Sequence, residues 1–211
     1  MNDKKKSTIL ALIIILLLIV ITTFVIKVTT FKTIFIDNIA HYIFVEKLRN
    51  PFFTFIMVNI TKFSNLPLIT IFTIISLLVI KNKKTAITIP INLSLITLLN
   101  QVLKRVFKRP RPDINMRLIK IGGYSFPSGH AMISMAFYGY LIYLIYIYIE
   151  NKIIKNILIS LLALVIILVG ISRIYLGVHY CSDIITGYSI SIIYLIIYTR
   201  ILKKVKSQNK P

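Results

Sequence analysis

Carboxylates are scarce in this chain. Its 211 residues hold six: Asp3, Asp37, Glu46, Asp113, Glu150 and Asp183. That scarcity argues against a carboxylate cage for Mg²⁺ or Ca²⁺. Cysteine occurs once, at Cys181, so no intramolecular disulfide can form and cysteine says little about compartment. No internal repeat, low-complexity linker or composition break marks a second domain, so residues 1–211 read as one domain. The excess lies in apolar side chains and cations. The chain is 57% hydrophobic, against roughly 45–50% in soluble domains, and its mean hydropathy is +0.84. The 26 Lys and Arg give a net charge of +20. An integral-membrane protein follows, with part of its charge serving the positive-inside bias and anionic headgroups. The bilayer is the expected partner and nucleic acid is not.

The fold class expected is all-α, a six-span transmembrane bundle. A hydrocarbon core of ~30 Å takes about 20 helical residues. The spans fall at 9–26, 66–80, 85–107, 130–149, 157–171 and 184–198. The first follows the basic start MNDKKKS. It is longer than a signal-peptide core and leads to VTTFKT, not to a small-residue cleavage site, so it reads as uncleaved. Residues 27–49 are mixed and read as lying outside the lipid, partly as a short amphipathic helix, with a further helical piece at 52–62. The third span carries Pro90, Asn92, Ser94, Thr97, Asn100 and Gln101. It should therefore face the bundle interior. Six spans put both termini on one side. Both termini and the turn KNKK are basic, which makes that side cytoplasmic. The count alone is even, with 13 Lys and Arg assigned to each side. Seven of the outer ones crowd between Lys104 and Lys120 and need their own explanation.

Three polar clusters sit at span ends: KRVFKRPRP with Lys104 and Arg111, PSGH with Ser128, Gly129 and His130, and SRIYLGVHYCSD with Arg173, His179 and Asp183. A six-span zigzag brings all three to one face. The residue types suit phosphate. Lys104, Arg111 and Arg173 can clamp its oxygens. Ser128 and Gly129 open a helix whose free N–H groups and dipole favour an anion. Asp183, four residues after His179, would fix the His179 tautomer and leave the other ring nitrogen as a nucleophile. His130 would be the acid for the leaving oxygen. A metal site of two His and one Asp would face three fixed positive charges, so none is expected, and no other cofactor either. His41 carries no assignment.

These clusters resemble the signature of the type 2 phosphatidic acid phosphatase (PAP2) superfamily of integral-membrane lipid phosphatases. The pattern K-x6-RP, PSGH, SR-x5-H-x3-D is met by Lys104 with Arg111-Pro112, by Pro127 to His130, and by Ser172-Arg173 with His179 and Asp183. The core of the resemblance covers residues 50–200. It implies attack by His179 to form a phosphohistidine, with Asp183 orienting His179. It implies that His130 protonates the leaving group and then activates water. Lys104, Arg111, Arg173, Ser128 and the Gly129 N–H would hold the phosphoryl oxygens, without a metal. The implied substrate is a lipid phosphate monoester or polyprenyl diphosphate: undecaprenyl diphosphate, phosphatidylglycerophosphate or phosphatidic acid. The expected place is the cell membrane, with the active site extracytoplasmic. Two rivals use the same cations. One is a non-enzymatic anion-binding or anion-carrying membrane protein. The other is a vanadate haloperoxidase of the wider superfamily, which six spans count against.

Overall fold

The computed structural model describes residues 3–31 and 33–208. The regular elements among the described residues are helical, in the order α1 (Asp3–Thr30), α2 (Phe35–His41), a π-type turn (Tyr42–Lys47), α3 (Pro51–Thr61), α4 (Leu66–Val79), α5 (Lys83–Ala86), α6 (Thr88–Phe107), α7 (Gly129–Tyr148), α8 (Lys152–Tyr175) and α9 (Cys181–Gln208), with short 3-10 turns at Lys62–Ser64 and Ile114–Met116. The expected basic tail ends in residues 209–211, which lie outside the described set.

Local chemistry sets the helix starts. Asn50 accepts from Phe53 N ahead of Pro51 at the first helical position of α3. Asn82 caps α5, and Asn151 accepts from Ile153 N and Ile154 N to cap α8. Each takes up backbone donors that the first turn leaves unpaired.

Among the described residues, five helices are long and apolar enough to cross a membrane, and six crossings result if the bent pair α3–α4 counts as one. The second crossing differs from the expected 66–80. Alone, α4 has 14 residues, about 21 Å at 1.5 Å per residue. It needs α3, joined to it at a 51° bend, to reach across. The first span is α1, whose apolar window is exposed apart from packing along α9. The segment after it folds into α2 and the π-type turn.

Helix α7 is the centre, packed on α6, α8 and α9. Helix α6 faces it with Asn92, Ile96 and Asn100, all buried. Asn92 Nδ2 donates to Ala136 O (2.8 Å) and Asn100 Nδ2 to Pro127 O (3.2 Å). The four-residue stripe explains the interior polar residues. Ser94 and Gln101 fall off it and are exposed, and Thr97 turns back to Leu93 O. Only part of the polar set of this span faces inward.

The bundle has a defined polarity. Asn65, ahead of α4, meets His130 at the start of α7, and Asp37 of α2 meets Ser182 at the start of α9. Thr85 near the start of α6 meets Tyr148 at the end of α7. The ends of α6 and α8 and the starts of α4, α7 and α9 therefore gather at one end. The first residues of α1 and the last of α9 lie at the other.

Candidate active site

The first cluster forms where α6 is stopped. Lys108 takes a left-handed conformation (φ 47°), and Pro110 and Pro112 then exclude helix. The chain Arg109-Pro110-Arg111-Pro112 runs on without regular structure. The third cluster forms where α8 ends. Gly177 turns the chain with φ +68°, and a Cβ there would meet Met116 O at 2.1 Å, so only glycine fits. His179 follows on the bend. Asp183, in the first turn of α9, accepts from Tyr180 N (2.9 Å) with Oδ2, and Asp183 N donates to Tyr180 O (3.1 Å). The acid at the third helical position thus caps its own helix. His179 and Asp183 are neighbours as expected, but through this turn: His179 precedes the helix and does not lie within it.

His179 Nδ1 is 3.1 Å from Asp183 Oδ2, and Nε2 is 3.0 Å from Arg111 Nη1. An arginine N–H can only donate. Nε2 therefore carries the lone pair, and Nδ1–H donates to Asp183. Burial first, then the charges of Arg111, Lys104 and Arg173, pull the His179 pKa well below the usual imidazole value. The result is a neutral imidazole whose unprotonated nitrogen accepts from Arg111 among cations.

Those cations come from two helix ends, Lys104 and Arg111 at and just past the end of α6 and Arg173 at the end of α8. Lys104 Nζ donates to Tyr124 O (2.5 Å) and Ser125 O (3.3 Å). Arg111 donates from Nε to Gly122 O and Gly123 O and from Nη1 to Val178 O. Burial and Arg117 pull its pKa down to about 10 against the opposing pull of Asp183. Arg173 is 1% exposed. Its Nη1 donates to Thr61 Oγ1 (2.7 Å), while its buried Nε and Nη2 find no acceptor among the described groups. Buried N–H groups are almost always paired, so the two donors call for an acceptor from outside the protein, and an anion supplies it best.

The second cluster closes the ring. Ser128 caps α7 by accepting from Ala131 N (3.4 Å), and Ser128 N donates to Asp183 O (3.1 Å), which ties PSGH to the third cluster directly. A Cβ on Gly129 would meet Asn100 Oδ1 at 2.9 Å, so this glycine also serves the approach of α7 to α6. His130 Nε2 is 2.7 Å from Asn65 Oδ1, and His130 O accepts from Ser64 Oγ (3.0 Å). All eight candidates, Lys104, Arg111, Ser128, Gly129, His130, Arg173, His179 and Asp183, converge. His41 instead lies 3.6 Å from Glu46. Among the described residues, no three His, Cys, Asp or Glu are grouped to hold a metal ion.

Several contributors carry no motif signal. Ser125 Oγ donates to Asp183 Oδ2, and Arg109 Nη1 donates to Asp183 Oδ1 (2.6 Å) and Ser182 Oγ (2.8 Å). Arg109 Nη2 reaches Asp37 Oδ2 (2.8 Å). Thr61 and Asn65 come from the α3–α4 break. Of these, only Asp37 could be suspected in advance, as an acid in the apolar run FIDNIA that needs a partner.

Comparison with known proteins identifies the family. A family model described as the PAP2 superfamily matches residues 85–207. Phosphatidylglycerophosphatase B of Bacillus subtilis (strain 168) is 34% identical over 113 residues, 52% of this chain and 54% of that protein. The matched stretch spans about half the length of that relative. The crystal structure of a transmembrane PAP2-type phosphatidylglycerolphosphate phosphatase from Bacillus subtilis superposes with a TM-score of 0.76 at 26% identity, over 92% of this chain and 96% of that one. The Aquifex aeolicus LpxE structure shares the fold, with a TM-score of 0.61 at 24% identity over 76% of this chain and 92% of the other. The family match takes in all three clusters and more than half of the residues, and the chain belongs to the PAP2 superfamily.

Proposed function

We propose that this protein is a membrane-embedded phosphatase that hydrolyses a lipid phosphate through a phosphohistidine on His179. The observation that carries the proposal is the state of His179. Its Nδ1–H is held by Asp183 and its Nε2 lone pair, unprotonated, accepts from Arg111, beside partnerless donors on Arg173. In the first step the Nε2 lone pair forms a bond to phosphorus and the bond to the leaving oxygen breaks. His130, protonated once the anionic phosphate is bound, gives that oxygen its proton. Arg111 Nη1 turns from Nε2 to a phosphoryl oxygen, joined by Lys104, Arg173, Ser128 and the Gly129 N–H. Asp183 stabilises the imidazolium that forms. In the second step His130, now neutral, takes a proton from water, whose oxygen attacks phosphorus. The N–P bond breaks, inorganic phosphate leaves, and His179 is neutral again. Positioning and charge complementarity supply the rate. The cations do the neutralising that a metal ion does elsewhere, so turnover is independent of added metal.

Phosphatidylglycerophosphate is the favoured substrate, because the relatives of similar sequence and fold bear names for that activity. Undecaprenyl diphosphate and phosphatidic acid are the competitors, since apolar tails leave no motif to choose between them. The test is phosphate release from each of the three lipids in detergent micelles. Release that survives EDTA and is lost in His179→Ala supports the proposal, and release from none of them overturns it.

The site is proposed to face away from the cytoplasm, since the opposite end carries KNKK and the basic last helix. Cys181 is a poor probe of this, being packed against Ala40, Ile174 and Ile184. Gly122 is exposed and has nothing within 4 Å of an added Cβ. In a Cys181→Ala background, Gly122→Cys should react with an impermeant maleimide on intact spheroplasts. Reaction only after the membrane is opened would invert the orientation.

A further inference from the structure

We propose that Asp37, acting through Arg109, is a positioning residue for the His179–Asp183 pair; the proposal rests on the reading of His179 as nucleophile. Asp37 lies in α2, well before the matched residues 85–207. The side chains of Asp37 and Asp183 are 0% exposed and that of Arg109 is 3% exposed. The guanidinium bridges the two acids. Nη2 donates to Asp37 Oδ2 (2.8 Å) and Nη1 to Asp183 Oδ1 (2.6 Å), while its Cζ lies 4.0 Å from the centroid of the Tyr180 ring. Ser182 completes the clamp: its N–H donates to Asp37 Oδ1 (2.8 Å), and its hydroxyl donates to Asp37 Oδ2 (3.0 Å) and accepts from Arg109 Nη1 (2.8 Å).

Two consequences bear on His179. Arg109 occupies Asp183 Oδ1, so the carboxylate is fixed in rotation with Oδ2 aimed at His179 Nδ1–H. An arginine bound to Asp183 alone would also draw its negative charge away from His179. Asp37, on the far side of the guanidinium, shares that positive charge and leaves Asp183 better able to stabilise an imidazolium. The dipeptide repeat RPRP thereby sets one arginine on each member of the pair, Arg109 on Asp183 and Arg111 on His179. A simple staple holding α2 to α9 would need neither the charges nor a contact with Asp183.

Asp37→Asn keeps the shape and removes the charge. Partners that orient a functional histidine are worth about 10–100-fold at metal sites, so kcat should fall about tenfold with KM unchanged. The loss should shrink to less than about twofold in an Asp183→Asn background, because effects carried through a shared residue are not additive. A second readout needs no turnover. The chain has three histidines, so the His179 Nδ1–H resonance can be assigned in ¹⁵N-histidine-labelled protein. It should move upfield in Asp37→Asn as the bond to Asp183 weakens. Should that variant not fold, Ser182→Ala, which removes the bridging hydroxyl and keeps every charge, should move the resonance the same way by less. An unmoved resonance, an unchanged kcat, or an equal loss of kcat in both backgrounds overturns the proposal. Should the wild-type protein release no phosphate from any lipid, the phosphatase reading fails, and the resonance alone decides whether the clamp acts on His179.

Discussion

At the end of the bundle where α9 begins, the contacts involve charged groups: Arg109 between Asp37 and Asp183, Arg173 on Thr61, and Arg111 on His179. Seventeen residues further along α9, about 25 Å at the helical rise, Tyr198 Oη donates to Thr88 O (2.6 Å), and Thr88 Oγ1 lies 2.6 Å from Tyr140 Oη. Tyr194 Oη donates to Asn92 O (3.1 Å), and its ring stacks on that of Tyr198. The tyrosine end pairs neutral groups with backbone carbonyls, which holds helices together in lipid at modest energy. The ionic end gathers Lys104, Arg111 and Arg173 against the single carboxylate of Asp183 that faces them, an imbalance that has no packing purpose. Charge that a bundle does not need for stability is there for a ligand.

Substitutions can sharpen that contrast, and the largest effects belong at the ionic end. His179→Ala should lower phosphate release by more than about 10⁴-fold, and adding Asp183→Asn to it should cost little more. Steady-state release by the single and double variants checks this, and a wild-type rate in His179→Ala would remove the nucleophile. Next comes Arg173→Met. The loss of a charged donor to the phosphoryl group is expected to cost about 10²–10³-fold in kcat, with the bundle still folded because the protein contact given up is the one hydrogen bond to Thr61 Oγ1. If release and thermal stability fell together in Arg173→Met, Arg173 would be a structural ion and the contrast between the ends would lose its basis.

A smaller effect follows from the pKa of His179. Burial and three cations lower it in the folded protein, so between pH 8 and 6 the folded imidazole stays neutral, whereas the unfolded one takes up a proton near 6.5. The unfolded state then binds more protons, and stability should fall as the pH drops through that range. In ¹⁵N-histidine spectra, His179 should show no titration from pH 8 to 6, and a midpoint near 6.5 would contradict the site geometry. The smallest effect belongs at the tyrosine end. Tyr198→Phe removes one neutral hydrogen bond and should cost about 1 kcal/mol of stability with kcat unchanged. Thermal unfolding in detergent and phosphate release together measure it, and a large loss of turnover would mean that the two ends are coupled.

What could be read in the sequence follows the same division. The motif clusters were legible because residue types and spacing specify them, and a zigzag of apolar runs suffices to bring Lys104, His130 and His179 to one face. The α3–α4 bend was not, because 66–80 looks long enough to count as a span until its 14-residue helix is set against the membrane. Asp37 and Arg109 were hidden for another reason. Their pairing crosses 72 positions of sequence; Arg109 is a variable position inside the first cluster, and Asp37 shows only that it needs a partner, not which one. Ser94 and Gln101 misled, because polarity alone says that a span has an interior face without saying which of its residues lie on it.

The most direct test of the proposed chemistry is to trap the intermediate. With a ³²P-labelled phosphate ester whose leaving group needs no proton, His130→Ala should leave attack by His179 possible and slow the water step, so a phosphoryl group should accumulate on the protein. Quenching in alkali preserves a phosphohistidine, and peptide mass spectrometry locates it. The expected result is a phosphoryl mass increment on the peptide carrying His179, absent in a His130→Ala, His179→Ala double variant. Label on another residue, or phosphate released by the wild-type protein while no labelled protein ever forms, would contradict nucleophilic attack by His179.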